Sequence, residues 1–270
     1  MKSRQNLSAF GAFFKAFFTT SLISIIICGC AFLYFNYYDK SAAEANTPSQ
    51  IEILPGAEEK LSLLLVIDDK AFIKIAYAPA DEELSFEGIS NMRTFDQGLS
   101  KGTISEIAER RGYPAAAECV SADRYAYFSP NNFYAFCEFS GDFSFDLPKE
   151  VAFYDKDTQK ILALTAGLQT LDARRMCGVI AELYAHKEQD LRDYLMGKTQ
   201  DDSENQKIIA EMMSAMAKAK LNSDFGKTFE KFISLADTDI SAYDYEVRHS
   251  GFGKLINMNK LKFTVKEVEK

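Results

Sequence analysis

The chain has 270 residues, 47% of them apolar, and a formal net charge of −8. That length allows a membrane segment and one domain with a full-sized core, and the acidic balance argues against general binding of nucleic acid or anionic lipid. The five cysteines form no C-x-x-C pair and the two histidines, His186 and His249, lie far apart, so no metal-ligand spacing is present.

Residues 16–35 (AFFTTSLISIIICGCAFLYF) carry no charge. Twenty residues at helical rise span about 30 Å, the thickness of a bilayer core. Lys2, Arg4 and Lys15 precede the run, and Tyr37 and Tyr38 follow it. Positive charge stays in the cytoplasm and tyrosine favours the headgroup level, so residues 1–15 are expected inside and the rest outside. The run exceeds the apolar core of a cleaved signal and lacks the polar face of a buried surface helix. Cleavage within 41–45, or acylation of Cys30 in the Ile27-Cys28-Gly29-Cys30 box, stay open as alternatives. Residues 36–50 read as a linker. Residues 1–50 hold four cations and two carboxylates, so the excess negative charge lies in the outer domain, 51–270.

Residues 61–67 (LSLLLVI) read as a strand buried on both faces, ending at Asp68-Asp69. A second strand over 72–78, a turn at Pro79 and a third strand over 84–89 make a hairpin. Thr103-x-x-Glu106 is a capping box opening a helix that stops at Gly112. Residues 115–128 have strand character, and 131–139 a helical turn. Phe143, Phe145 and Leu147 alternate with polar residues as a half-buried strand, and 161–164 form another. The C-terminal part is helical: a long segment over 171–196, a polar break over 198–204, a helix over 205–221 with Ile208, Met212 and Met216 on a core-facing stripe, another over 224–235, and a last one capped by Ser241. The order predicts an α/β fold, a mixed central sheet flanked by helices, behind one N-terminal transmembrane helix. Cys119 and Cys137 are either small buried hydrophobes or a disulfide. Asp68 is a ligand candidate because strand ends are where α/β folds place ligands.

Several segments, in order, resemble the LytR-CpsA-Psr (LCP) family. Leu63-Leu64-Leu65-Val66-Ile67-Asp68 is similar to its first strand, Gly141-Asp142-Phe143-Ser144-Phe145-Asp146-Leu147-Pro148 to its G-G-V-x-V-x-V-P strand, and Leu164-Thr165-Ala166-Gly167-Leu168-Gln169-Thr170-Leu171-Asp172 to its L-x-x-G-x-Q-x-L-D-G segment. Asn205-Gln206 stands where the family has R-Q, and Thr238-Asp239-Ile240-Ser241 resembles the segment before its last helix. The resemblance implies a membrane-anchored, extracytoplasmic protein of the Gram-positive envelope, of a family that moves glycopolymers from polyprenyl pyrophosphate to peptidoglycan. It makes Arg93, Asp172 and Gln206 candidates by position, with Arg174 and Arg175 as displaced charge.

The chain departs from the family where phosphate and metal are bound. Arg93 is out of register, the helical R-x-R pair falls on Ala181 and Leu183, the R-Q arginine is Asn205, and Lys70-Ala71 replace the segment with the metal-binding aspartate. Arginine forks bind phosphate oxygens in pairs, and each charge-assisted bond contributes about 1.5–3 kcal/mol. The expectation is therefore a catalytically degenerate LCP-like protein, with no confident catalytic residue, acting in cell-wall glycopolymer assembly or lipid-linked precursor binding. Its expected partners are the membrane, a polyprenyl-linked glycopolymer or wall-assembly proteins, and not nucleic acid. The alternatives are an active phosphotransferase, for which Mg²⁺ would be needed, and an anchored scaffold or sensor.

Overall fold

The structure, a computed structural model, describes residues 59–268 except 92, 98–99, 157, 185–201 and 222–224. The 16–35 run, the linker and His186 lie outside the described residues. Among the described residues no helix is long and apolar enough to cross a membrane.

β1 (Leu61–Ile67) and β2 (Ala71–Ala78) are joined by a turn in which Asp68 and Asp69 both take left-handed backbone, φ 52° and 54°. A 3-10 turn over Pro79–Asp81 leads to β3 (Glu83–Ile89). A short ribbon, β4 (Thr94–Gln97) and β5 (Ser100–Thr103), runs into α1 (Ile104–Arg111), where Thr103 and Glu106 form the expected capping box. The strand expected over 115–128 is half helix: α2 (Tyr113–Cys119) precedes β6 (Arg124–Phe128). Pro114 in the first turn and three alanines favour helix strongly enough to outweigh the apolar run. The turn expected at 131–139 is a full helix, α3 (Pro130–Ser140).

β7 (Phe143–Leu147) shows the expected alternation of buried and exposed residues. β8 (Val151–Asp155) and β9 (Lys160–Leu164) form a hairpin, and β10 (Gly167–Leu171) pairs with β7. The helix expected from 171 therefore starts later, as α4 (Ala173–Leu183); residues 185–196 lie outside the described residues. α5 (Ser203–Leu221), α6 (Phe225–Leu235), the short β11 (Asp237–Thr238) and α7 (Ala242–Asn257) follow. A final strand, β12 (Lys262–Lys266), has no counterpart in the sequence reading.

The central sheet has six strands in the order β11-β6-β1-β2-β3-β12. β6 runs parallel to β1 and β12 parallel to β3, and the other pairs are antiparallel. The sheet is mixed and flanked by helices, as expected. Side chains alternate across β1. Leu64 and Val66 pack with α1 and α2 on one face, and Leu65 and Ile67 pack with the helices from α3 onward on the other. Cys119 belongs to the first cluster and Cys137 to the second, so both are free buried thiols and the disulfide alternative fails. A contact with Cys177 and then burial raise the Cys137 pKa.

The helical layer meets the sheet most closely at Gly88 of β3, where a Cβ would lie 2.5 Å from the Gln206 carbonyl oxygen of α5. Gly88→Ala should therefore destabilise the domain by about 1–3 kcal/mol, read as a lower urea midpoint at unchanged slope.

Candidate functional site

The carboxyl end of β1 is a polar knot. Lys70 Nζ lies 2.6 Å from Asp68 Oδ2, and the Tyr113 hydroxyl donates to Asp69 Oδ1 at 2.7 Å. Asp202, just before α5, accepts from the Ser90 hydroxyl, from the Asn91 N–H at 2.9 Å and from Gln206 Nε2 at 3.3 Å. Asn91 Nδ2 and Gln206 Nε2 both donate to the Lys70 carbonyl, at 2.7 and 3.4 Å. Those acceptors fix both amide orientations and leave Asn91 Oδ1 and Gln206 Oε1 buried without hydrogen-bond partners. The Tyr184 hydroxyl is likewise buried without a partner. Burial, and then the Asp202 carboxylate, raise the Tyr184 hydroxyl well above its ordinary range.

The other predicted residues are dispersed. The Arg93 guanidinium stacks 5.0 Å from the Phe95 ring centroid. Asp172 caps α4 by accepting the Arg175 N–H at 2.8 Å. Arg174 pairs at 3.3 Å with Asp155, whose side chain is 3% exposed, and Arg175 donates to the Thr170 carbonyl at 2.7 Å. Asp68 and Gln206 are brought to one end of β1. Arg174 and Arg175 are engaged on α4 with other partners, and none of the six lines the apolar cavity described next.

A cavity of about 230 Å³ opens between the sheet and the helical layer, lined by Leu61, Leu63 and Leu65 of β1, Ile75 and Tyr77 of β2, Leu84 and Phe86 of β3, and side chains of α3, α5, α6 and α7. Leu63 and Ile75 sit on interior strands yet are only half-buried, because the helices stand off there. α6 presents Phe225, Phe229 and Phe232 to the space, all three half-buried. Met213 and Met216, expected as core, are buried and also line it.

The polar side chains of this cavity gather near α7. Asp244 pairs with Arg124 Nε at 3.0 Å and with Arg248 Nη1 at 3.6 Å. Arg248 is 12% exposed, and its Nε is buried with no partner. His249 stacks on Tyr245, and Tyr245 on Phe229. Burial acts to raise the Asp244 carboxyl, but hydrogen bonds from Arg124 and Ser241 and the Arg124 charge outweigh it, so the pKa is lowered. Sequence reasoning missed this cluster. Its only sequence signal is a capping box at Ser241 and Asp244 with an arginine four residues further on.

No family model matches the sequence, and no curated protein matches it. Solved structures do. A protein from Eubacterium siraeum DSM 15702 described as a transcription regulator superposes with a TM-score of 0.63 at 17% identity, covering 82% of this chain and 89% of its own. TagT bound to LI-WTA gives 0.56 at 14% identity over 80% and 81%, and Bacillus subtilis TagV gives 0.54 at 14% over 77% and 84%. TagT and TagV are LCP proteins, and this chain has an LCP-like fold.

Asp244 ties α7 to β6, which makes acid stability a test of the cluster. Its folded pKa lies below the unfolded value of about 3.9, so its contribution is present above that pH and is lost as pH falls through the folded pKa. Asp244→Asn should cost about 2–3 kcal/mol at pH 7, less than a fully buried pair because Arg124 is a third exposed. The variant's stability should also lose this part of the decline below about pH 4, measured by denaturant unfolding across pH.

Proposed function

We propose that this LCP-fold protein is anchored by residues 16–35 on the outer face of the bacterial membrane. There it binds the prenyl chain of a lipid-linked cell-wall glycopolymer precursor and does not itself transfer the polymer. The observation that carries the reading is the apolar cavity between the sheet and α5–α7. Soluble domains close their cores to crystal-like density, so an apolar space of this size against a central strand is a binding site before it is a defect. TagT, of the same fold, was solved with a wall teichoic acid ligand, which supports the class of partner.

The absence of transfer is argued from the strand end. Phosphoryl transfer needs cations and donors converging on the moving phosphate. Here Asp68, Asp69 and Asp202 outnumber Lys70, and the donors of Ser90, Asn91 and Gln206 are spent on internal acceptors. The residues also do not fit Mg²⁺. The Lys70 ammonium already occupies Asp68, where a divalent cation would need an open oxygen. No catalytic step is therefore assigned to these residues.

The full chain should bind polyprenyl pyrophosphate saturably, and Leu63→Arg, which puts a charge into the cavity wall, should weaken binding at least about tenfold. Incubated with a prenyl-linked polymer, peptidoglycan and Mg²⁺, the protein should release no prenyl phosphate product. Release would overturn the non-catalytic reading, and failure to bind would overturn the lipid reading.

A further inference from the structure

Polar groups of different character stand at the two ends of β1, and only those at the α7 end line the cavity. From Arg124, which stands opposite Leu63, to Asp68 is five residues of strand, about 17 Å at 3.3 Å per residue. At the Asp68 end the buried atoms without partners are the amide oxygens Asn91 Oδ1 and Gln206 Oε1 and the Tyr184 hydroxyl. Three carboxylates, Asp68, Asp69 and Asp202, stand there against Lys70, so an anion would meet net negative charge. At the α7 end the buried orphan is a donor, Arg248 Nε, on a guanidinium that lines the cavity.

We propose that the anionic head of the bound lipid is held at the α7 end, on Arg248 with Arg124 beside it. A prenyl phosphate would then lie with its phosphate remote from Asp68. This rests on the reading above that the cavity holds a prenyl chain, and adds the place and polarity of its head. Arg124, Arg248 and Lys220 line the cavity against one carboxylate, Asp244, in a chain whose overall charge is negative. Asp123 and Asp239 also act on Arg124, but neither lines the cavity. Asp123 accepts from Ser62, and Asp239 from the Tyr125 N–H. Arg124 is thus largely committed, and Arg248 is the reader. Asp244 takes its Nη1 and leaves Nε for a ligand oxygen, a contact that a neutral alcohol head cannot make with the same charge assistance. His249, one residue on, lines the same end, and its Nδ1 donates to the Glu246 carbonyl at 3.0 Å.

The test is equilibrium binding of tritiated farnesyl phosphate and farnesol to the full chain and three variants. The wild type should prefer the phosphate at least about tenfold. Arg248→Gln should bind farnesol as before and lose the preference. Lys70→Ala, at the opposite end, should keep it. Equal binding of the two ligands by the wild type, a preference that survives Arg248→Gln, or one that falls in Lys70→Ala would each overturn the proposed head site while leaving the prenyl-chain reading intact. Failure of the wild type to bind either ligand would overturn the prenyl-chain reading itself. If Arg248→Gln loses farnesol as well, Arg248→Lys decides. It keeps charge and stem without Nε, and it should retain farnesol and lose at least about threefold of the preference; full retention overturns the proposal.

Discussion

Everything in this domain depends on keeping both faces of β1 away from water. Leu63, Leu65 and Ile67 point one way and Leu64 and Val66 the other, so a layer is required on each side. The two layers meet the demand differently. On one face α2 brings Ala115, Ala116 and Ala117, whose short side chains let the helix lie close. On the other, α5 and α6 bring methionine and phenylalanine, which hold their helices further out. Long side chains that meet only partly over Leu63 and Ile75 leave the cavity. Such a gap forgoes dispersion contacts on its lining, and an apolar chain entering it restores them. The fold and the ligand space thus come from one choice of side-chain size on one sheet face.

The charged residues follow the same geometry. The sheet closes its long edges with neighbours and leaves its two ends for polar groups. At the Asp68 end the donors of Lys70, Asn91 and Gln206 are taken by Asp68, Asp202 and the Lys70 carbonyl. In the LCP resemblance Lys70-Ala71 stand where a metal-binding aspartate is expected and Asn205 where an arginine is. The net charge of the chain says nothing about either end; what matters is which buried atoms are left as donors and which as acceptors.

Much of the fold was legible because it is local. β1 to β3, the capping box at Thr103, the N-cap at Ser241, the alternation in β7 and the stripe of α5 are each written in a few consecutive residues. The misreadings are also local in origin. Residues 113–119 are mostly apolar, with Glu118 the one charge, and periodicity cannot separate a short buried helix from a strand. β12 carries Lys262 and Lys266 and is a strand because β3 offers it an open edge, a tertiary fact. The candidate site was less legible. Asp68 was a candidate as the end of a buried strand and Gln206 by resemblance, and the structure brings the two to one network. Arg174 and Arg175 looked like spare charge, yet Asp155, far back in the chain and buried, engages the first. Arg248 had only its place four residues after Asp244 as a signal, and Arg124 had none, since its significance lies in a contact with Asp244 across 120 residues.

That contact shows how a site can hide inside a structural motif. Asp244 is the N3 residue of the α7 capping box: it accepts the Ser241 N–H at 2.9 Å while its own N–H donates to the Ser241 hydroxyl at 3.1 Å. The same carboxylate reaches Arg124 on β6 and Arg248 one turn on. Starting the helix therefore fixes where the carboxylate stands, and the carboxylate fixes which edge of the Arg248 guanidinium is paired and which is left without a partner. A cap with serine or threonine at N3 would start the helix nearly as well but would take from both arginines the carboxylate they share. The choice of aspartate couples the register of α7 to the polarity of the cavity, so a change in the helix start is at once a change in what the cavity presents.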